Sequence, residues 1–323
     1  MPPYISVIIP VYNRTKYAEE AINSVLKQTL DKSEYEVLVV TNVDLPEREK
    51  IKIIKSKNLT LGGKVVEGIL NSEGEVISLL EDDDLFSPNK LEVVYNAFKR
   101  HSISLFHNEM YFIDENGNRI ESFERKREEA VRKYLREEPV SYAFLKKNLI
   151  DKIKLSFNNS SISLRKDALL PYFDYIKGIK HLGLDTIIFF LTAYKNNIFL
   201  SSQKLTYYRV HTSNVSKLFI DGKINEKIIR DNMEQYQLYD KLKEVDEFFR
   251  IIAYDSYLYL RIFESEEYST SFMKALESVL GLAKEDFHSA FRVYTLIRNL
   301  IALLPKPIRK RLAVEIAKRV SLS

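Results

Sequence analysis

The sequence VISLLEDDDLF, residues 76–86, decides the fold, because an apolar strand runs directly into four consecutive acids. Four adjacent carboxylates repel one another and are costly to bury, so folding alone does not explain them. Mg²⁺ and Mn²⁺ bind carboxylate oxygens, and ligands of open α/β sheets bind at the carboxyl ends of strands. The run therefore predicts a site for a metal ion and a diphosphate. The alternative is an acidic loop before a helix that Ser87 caps and Pro88 begins, which leaves the four acids unexplained.

Apolar segments up to residue 101 alternate between strand and helix patterns. Runs of β-branched residues predict strands, and apolar residues at helical spacing predict helices. The predicted strands are Ile5–Pro10, Tyr35–Val40, Ile51–Ile54 and Val76–Leu80, and the predicted helices are Ala18–Leu26, Gly62–Leu70 and Pro88–His101. Such alternation indicates an α/β fold with a largely parallel sheet and helices on both faces.

The pattern changes after residue 101. We expect a hairpin from Leu105–Phe106 and Tyr111–Ile113 with its turn at Asp114–Gly117, and an exposed helix or a mobile excursion over 121–138. Ser160–Leu164, a helix from about Asp185 to Tyr194, and Ile198–Tyr208 complete a first domain of residues 1–217. Residues 218–323 are helical in pattern and form the predicted second domain.

Composition excludes several classes of protein. The chain has 323 residues and no cysteine, which rules out disulfides, thiol catalysis and Cys-ligated zinc. Its five histidines show no metal-ligand spacing, and a net charge of +4 does not imply strong nucleic-acid binding. The N-terminus lacks the pattern of a signal peptide, and no apolar run is long enough to span a bilayer, so we expect a cytoplasmic protein.

Five segments, taken in order, resemble glycosyltransferase family 2, the inverting nucleotide-sugar transferases of GT-A fold. They are Ile8–Arg14, Ala21–Thr29, Glu81–Asp84, Asp185, and Tyr208–His211 with Asn214 and Ser216. The resemblance covers roughly residues 4–217. It implies a GT-A domain, which is a Rossmann-like, mostly parallel central sheet with helices on both faces.

The resemblance implies a metal site in the acidic run and in the closing segment. Asp83 is the expected ligand of Mg²⁺ or Mn²⁺, Asp84 supports the metal shell, and Asp82 or Glu81 faces the ribose. His211 is expected to bind the metal or the diphosphate. A lone histidine is otherwise more often a structural hydrogen-bonding group.

The resemblance also implies a nucleotide site at the ends of the first two strands. The residues expected there are Pro10, Tyr12, Asn13, Arg14, Thr41, Asn42, Lys64 and Asp82. Tyr12 could instead only pack, and Lys64 lacks the sequence context of a phosphate-binding loop. Thr41-Asn42 stands where the family usually has an acid, so the identity of the base stays open. Arg209 is expected to neutralise the diphosphate or to pair with an acid.

Asp185 stands where the family places its catalytic base. An acceptor hydroxyl must lose its proton as it attacks the anomeric carbon, and a carboxylate within hydrogen-bond reach takes that proton. Asp185 precedes the apolar run Ile187–Leu191, so a helix beginning there would keep the carboxylate ionised. The competing interpretation is a helix cap, and the two roles are compatible.

The last helix of the sequence, Ile308–Val320, combines an apolar stripe with five basic residues off that stripe, which are Arg309, Lys310, Arg311, Lys318 and Arg319. Such a helix either lies on an anionic membrane surface or packs on the catalytic domain with a solvated basic face. The resemblance implies an inverting, metal-assisted glycosyltransferase that acts on a glycan or a lipid-linked acceptor, and the C-terminal pattern makes 291–320 the candidate for a peripheral membrane contact. The alternatives are a sugar nucleotidyltransferase and an inactive nucleotide-binding scaffold.

Overall fold

The computed structural model describes residues 2–12, 15–147, 152–180, 183–211, 219–220, 223–224, 226–263, 270–285, 293–309 and 311–312. These residues form two compact units. The first contains residues 1–144 and 153–213, and the second contains residues 145–152 and 214–323. The predicted nucleotide and metal residues that the structure describes belong to the first unit.

The strands are β1 (Ile5–Val11), β2 (Tyr35–Thr41), β3 (Ile51–Lys55), β4 (Val76–Leu79), β5 (Leu85–Phe86), β6 (Leu105–Ile113), β7 (Val140–Ser141), β8 (Ile162–Arg165), β9 (Asn197–Arg209), β10 (Phe219–Ile220) and β11 (Lys223–Ile224). The helices of the first unit and its border are α1 (Ala18–Leu26), α2 (Leu61–Leu70), α3 (Lys90–Arg100), α4 (Glu121–Val131), α5 (Tyr142–Lys146), α6 (Lys166–Leu169), α7 (Phe173–Ile176) and α8 (Leu184–Ala193). The helices of the second unit are α9 (Glu226–Leu242), α10 (Glu247–Ile262), α11 (Phe272–Glu285) and α12 (Val293–Leu303).

Nine of the described strands form one sheet in the order β3-β2-β1-β4-β8-β6-β9-β5, with β7 paired to β9. The neighbours β3, β2, β1 and β4 run parallel to one another, and β6 runs parallel to β9. The other pairings, which involve β8, β5 and β7, are antiparallel. The parallel block brings the carboxyl ends of β1, β2 and β4 to one edge, where ligands of α/β sheets bind.

Helix α2 packs closely on the central strand β1, and this approach requires a glycine. A Cβ atom added to Gly68 would lie 2.5 Å from Cγ2 of Ile8, which no side chain tolerates without a shift. Lys64 lies one turn before Gly68 on the same helix, on the side that faces the sheet. The packing of α2 thus brings a buried lysine beneath the end of β1.

Two predictions for the middle of the chain are wrong. Residues 105–113 form one continuous strand rather than a hairpin, because this strand pairs on both sides, with β8 and with β9. The turn at 114–117 is present, but it leads only to an isolated bridge between Ile113 and Arg119. Residues 219–224, where we predicted no strand, contain the short antiparallel pair β10–β11.

In the second unit, Arg309 does not lie on an exposed basic face. Its side chain is buried, and its Nε donates a hydrogen bond to the carbonyl oxygen of Arg261 at 3.0 Å. The neighbouring Ile308 is exposed instead. The prediction for Arg309 is therefore wrong, because its guanidinium caps backbone carbonyls of this unit. Most of the predicted final helix, residues 313–320, lies outside the described residues. No helix of the described residues is long and apolar enough to cross a membrane.

Candidate functional site

A tight turn at the end of β4 gathers the carboxylates of Glu81, Asp83 and Asp84. The backbone N–H of Asp84 donates to the carbonyl oxygen of Glu81 at 3.3 Å, which closes the turn. One carboxylate oxygen from each of the three residues lies within 4.8 Å of the others. The resemblance left open whether Asp82 or Glu81 faces the ribose, whereas in the structure Glu81 joins Asp83 and Asp84, and Asp82 contacts the backbone of Tyr12. The turn explains the difference, because it returns the chain so that its first and fourth residues lie side by side.

Arg209, the last residue of β9, stabilises this turn through hydrogen bonds. Its backbone N–H donates to Oδ1 of Asp84 at 2.9 Å, and its Nε donates to the carbonyl oxygen of Asp83 at 2.9 Å. The guanidinium also pairs with Glu20 at 2.7 Å and lies over the ring of Tyr17 at 4.4 Å. Since the guanidinium is buried among these partners, its observed contacts orient the acids. Its contact with a diphosphate stays a prediction.

His211 lies beside the acidic turn. Its Nε2 is 2.9 Å from Oδ2 of Asp83, and both side chains are largely buried. This contact unites the acidic run with the closing segment of the first unit, two parts of the sequence that the resemblance had joined. His211 either orients Asp83 or shares a ligand with it, so its role as a metal ligand stays a prediction. Asn214 and Ser216 lie outside the described residues.

Burial makes negative charge unfavourable in the acidic turn. Desolvation, followed by the charges of Asp83 and Asp84, raises the pKa of Glu81 well above its usual value. Desolvation and the charge of Asp83 raise the pKa of Asp84 to about 7. A cation at this position would relieve both effects, because it compensates the repulsion between the carboxylates.

The donor set fits a hard divalent cation. Glu81, Asp83 and Asp84 offer only carboxylate oxygens, which suit Mg²⁺ and Mn²⁺, whereas zinc sites are richer in nitrogen and sulfur. No described cysteine or second histidine belongs to the cluster. The three carboxylates are therefore the residues that would hold a divalent cation.

Lys64 connects the ends of β1 and β2. Its buried Nζ donates to the carbonyl oxygen of Val11 and to Oδ1 of Asn42, each at 2.6 Å, and lies 3.8 Å from the centre of the Tyr12 ring. Desolvation lowers the pKa of this lysine. Asp82 accepts a hydrogen bond from the backbone N–H of Tyr12 at 3.1 Å. The structure thus brings Tyr12, Asn42, Lys64 and Asp82 together at one corner of the sheet edge.

The remaining predicted nucleotide residues differ in their surroundings. Pro10 is buried within β1. The hydroxyl of Thr41 donates to the carbonyl oxygen of Val43 and accepts from its N–H, so the side chain is turned back on its own loop, while Asn42 is exposed. Asn13 and Arg14 lie outside the described residues.

Asp185 lies in the first turn of α8, as the sequence predicted for a helix start. Its Oδ1 accepts the backbone N–H of Thr186 at 2.7 Å, and its Oδ2 accepts the backbone N–H of Asn158 at 3.0 Å. Burial raises the pKa of this carboxyl, although the hydrogen bonds oppose the effect. Its charge also makes a small contribution to the raised pKa of Glu81.

A short segment that the sequence analysis did not single out joins Asp185 to the acidic turn. Asn158 contacts Asp185, Asn159 Nδ2 donates to Oε1 of Glu81 at 2.7 Å, and Ser160 Oγ accepts the backbone N–H of Glu81 at 2.9 Å. We refer to these three residues as the 158–160 turn. The only signal in the sequence was a pair of asparagines just before a strand, which is also typical of an ordinary turn.

Comparisons with known proteins agree with this architecture. Residues 6–170 match the family model described as glycosyl transferase family 2. An uncharacterized glycosyltransferase of Nostoc sp. is 26% identical over 223 residues, which are 65% of this chain and 66% of that protein, just short of two thirds of its length.

Two solved structures share the fold at low sequence identity. The Staphylococcus aureus TarS fragment 1–349 in complex with UDP has a TM-score of 0.51 at 15% identity, covering 94% of this chain and 82% of that one. Mannosyltransferase PcManGT from Pyrobaculum calidifontis, in complex with GDP-Man and Mn²⁺, has a TM-score of 0.54 at 12% identity, covering 94% and 86%. They confirm the predicted α/β, GT-A-like architecture. The family match covers more than half of the sequence, and the chain belongs to glycosyl transferase family 2.

Proposed function

We propose that this protein is an inverting glycosyltransferase that moves a sugar from a nucleoside-diphosphate donor to a hydroxyl of a glycan or lipid-linked acceptor. The observation that supports this most is that one short turn hydrogen-bonds both to Asp185 and to Glu81 of the three-carboxylate cluster. The three clustered acids suit a divalent cation that would bind the leaving diphosphate, and the separate carboxylate suits the acceptor hydroxyl.

The nucleotide is proposed to bind at the corner formed by Tyr12, Asn42, Lys64 and Asp82. Tyr12 offers a ring edge and backbone groups, the exposed amide of Asn42 suits a base edge, and the Asp82 carboxylate suits a ribose hydroxyl. Lys64 keeps the ends of β1 and β2 at a fixed distance through Val11 and Asn42. Pro10, Thr41, Asn13 and Arg14 belong to the same proposed subsite through their neighbouring positions in the chain.

A divalent cation held by Glu81, Asp83 and Asp84 would stabilise the negative charge that develops on the leaving diphosphate. Arg209 and His211 support that site by orienting Asp83 and Asp84. Arg209 also adds positive charge behind the acids. The solved neighbour PcManGT is a mannosyltransferase in complex with GDP-Man and Mn²⁺, which is consistent with a nucleotide sugar and a metal here.

Asp185 is proposed to accept the proton of the attacking hydroxyl. Its two backbone hydrogen bonds fix the carboxylate in one orientation, and the N-terminal end of α8 stabilises its ionised form. Burial raises its pKa, which makes it a stronger base than an exposed aspartate. Displacement at the anomeric carbon then inverts the configuration.

A nucleotidyltransferase would use the same sheet edge and acids, but it attacks a phosphate and does not require a base beside the sugar. Asp185 therefore favours glycosyl transfer. The test begins with thermal shifts of the parent protein with UDP, GDP or ADP, with and without Mn²⁺, because a ligand of the folded state raises its melting temperature. We expect one diphosphate to bind with Mn²⁺ and to be released from its nucleotide sugar in turnover. Release of pyrophosphate from a nucleoside triphosphate would instead show the alternative reaction.

We also propose that the second unit contacts an anionic membrane surface. The support comes from α12, where Leu296, Ile297 and Leu300 are exposed on one face, and from the exposed Ile308. Lys306 and the exposed Arg311 follow in the chain. An apolar face with adjacent basic residues is the pattern of helices that bind in the plane of a membrane.

A further inference from the structure

The 158–160 turn lies between the two chemical parts of the proposed site. Asn158 donates its backbone N–H to Asp185, and Asn159 and Ser160 both hydrogen-bond to Glu81. In a single displacement the leaving diphosphate and the base stand on opposite sides of the anomeric carbon. A segment that contacts the carboxylates on both sides therefore runs alongside the sugar that is transferred.

The two ends of the Asn159 side-chain amide differ in their hydrogen bonding. Its amide nitrogen donates to Glu81 at 2.7 Å. Its carbonyl oxygen, Oδ1, is buried and has no hydrogen-bond partner among the residues that the structure describes. Asn159 as a whole is 7% exposed, so bulk water does not satisfy this oxygen fully. A buried acceptor without a partner is costly, and a ligand that donates a hydrogen bond removes that cost.

The turn is rigid enough to act as a template. Lys90, which is fully buried, donates to the carbonyl oxygen of Ser160, and the hydroxyl of Thr206 donates to the same oxygen at 3.0 Å. Upstream, His107 Nε2 lies 3.0 Å from the carbonyl oxygen of Phe157. Asn158 has a positive φ of 79°, which is uncommon for a residue other than glycine. These contacts fix the backbone on both sides of Asn159.

We propose that Oδ1 of Asn159 accepts a hydrogen bond from a hydroxyl or amide N–H group of the transferred sugar, and that Asn159 thereby selects the donor. This inference rests on the proposed function, because it assigns one residue to the sugar of the same donor. A site built to accept a hydrogen bond from a substrate discriminates against an analogue that lacks the donating group, since the buried oxygen is then left unpaired.

The experiment compares the parent with Asn159→Ala and with the control Ser161→Ala. Ser161 is a buried neighbour whose hydroxyl, unlike the Asn159 side chain, makes no hydrogen bond to Glu81. Calorimetry with Mn²⁺ measures the affinity for two pairs of probes, UDP with UDP-N-acetylglucosamine and GDP with GDP-mannose. For the pair that binds the parent, we expect Asn159→Ala to weaken the nucleotide sugar by about tenfold and the diphosphate by less than about twofold. Ser161→Ala should leave both affinities unchanged.

Deoxy analogues of the donor identify the hydroxyl. Removing one particular hydroxyl from the donor sugar should weaken its binding to the parent by about tenfold. The same removal should not weaken binding to Asn159→Ala any further, which is the result expected for two groups in direct contact. If Asn159→Ala does not fold, Asn159→Ser, which keeps a hydroxyl near Glu81, replaces it.

Equal weakening of the diphosphate and the nucleotide sugar would overturn the inference, because Asn159 would then only support the acidic turn or its metal. Unchanged affinity for both ligands would overturn it as well. If the parent binds no diphosphate with Mn²⁺, the proposed function itself fails, and that result is distinct from either outcome.

Discussion

The backbone N–H of Asn158 donates a hydrogen bond to Oδ2 of Asp185 at 3.0 Å, although 27 positions separate the two residues in the chain. A residue that only caps a helix satisfies the N–H groups of its own first turn, as Asp185 does with Thr186. The additional contact directs the carboxylate toward the 158–160 turn and its neighbour Glu81. Asp185 is thus tied to the acidic turn by geometry and not only by its position in the sequence.

Replacing Asp185 by Asn tests its role as the base. An amide has one accepting oxygen, so it satisfies only one of the two N–H groups, and we expect a loss of stability of about 1–3 kcal/mol. It cannot take a proton at neutral pH, so kcat should fall by a factor on the order of 10² or more. The dissociation constant of the diphosphate with Mn²⁺ should not change. The control Asp167→Asn makes the same change at an exposed position. A variant of Asp185 that transfers sugar at nearly the parental rate would leave this residue as a cap.

Asp83→Ala tests the metal site. Removing one of three clustered carboxylates relieves repulsion, so we expect the fold to be retained. We also expect Mn²⁺ to lose its effect on diphosphate binding, because Asp83 is the member of the cluster that His211 orients. Isothermal titration with and without Mn²⁺ measures this, and Asp167→Ala serves as the control for the loss of one negative charge. Parental Mn²⁺ dependence in Asp83→Ala would mean that the ligand was assigned wrongly.

Apart from the two-residue strand β5, the strands and helices up to residue 101 were predictable because each has a local sequence pattern. Buried parallel strands are short β-branched runs, and α1 has one apolar face. The strand β6 was mistaken for a hairpin because its polar residues His107, Asn108 and Glu109 interrupt the apolar run. All three are buried, and each side chain has a tertiary partner: Phe157 for His107, Thr206 for Asn108, and Arg127 in a bidentate ion pair for Glu109. Such partners are distant in the chain, so they cannot be predicted from the local sequence.

In the candidate site, too, some features had a local sequence signal and others depended on tertiary contacts. The acids were found from their position at the end of a strand, and Asp185 was found from the resemblance to the family. Glu81 belongs to the cluster because of the way the chain turns after β4. The role of the 158–160 turn depends on contacts between residues about 80 positions apart, such as Glu81 with Asn159. Neither can be read from the local sequence. The prediction for Arg309 failed for a related reason. A charged residue in a basic segment was expected to face solvent, but its side chain is buried.

Lys64→Met tests the connection between β1 and β2. Methionine fills a similar volume but donates no hydrogen bond, so the carbonyl oxygen of Val11 loses its partner at a cost of about 1–3 kcal/mol. Removing a buried ammonium offsets part of that cost, and we expect a small net change in the free energy of unfolding. Affinity for the diphosphate should fall, since Asn42 and the Tyr12 loop lose their common anchor. The control Lys52→Met changes an exposed lysine of β3. Unchanged affinity in Lys64→Met would exclude this corner from the nucleotide site.

The exposed face of α12 can be tested without truncating the chain, which would remove the buried Arg309. We expect the parent to sediment with anionic vesicles at low salt and to be released at high salt, because salt screens the basic residues. The double variant Ile297→Ser, Leu300→Ser should sediment less while its diphosphate affinity is unchanged. Leu59→Ser alters a leucine that is 77% exposed in the first unit and serves as the control. Equal sedimentation of the double variant and the parent would argue against membrane contact through this helix.

His107 makes a specific prediction about the dependence of stability on pH. Burial, and then the charge of Arg127, lowers the pKa of this histidine to about 3, whereas in the unfolded chain a histidine titrates near 6.5. As the pH falls from about 6.5 toward 3, the unfolded state takes up a proton that the folded state refuses. His107 therefore stabilises the fold above that range and loses this contribution as the pH falls, by at most about 1.4 kcal/mol per pH unit.

The replacement His107→Gln isolates this effect. Glutamine keeps a group that can donate to the carbonyl oxygen of Phe157, but it does not titrate. We expect the variant to be less stable than the parent at pH 7, because it loses the edge contact of the imidazole with the Phe189 ring. Urea unfolding between pH 7 and about pH 4 should then show a flatter decline in the variant, because carboxylates titrate equally in both proteins and only the contribution of the histidine is missing. Parallel curves for the two proteins would mean that His107 takes up a proton in the folded state, and that its buried contact with Phe157 opens at mildly acidic pH.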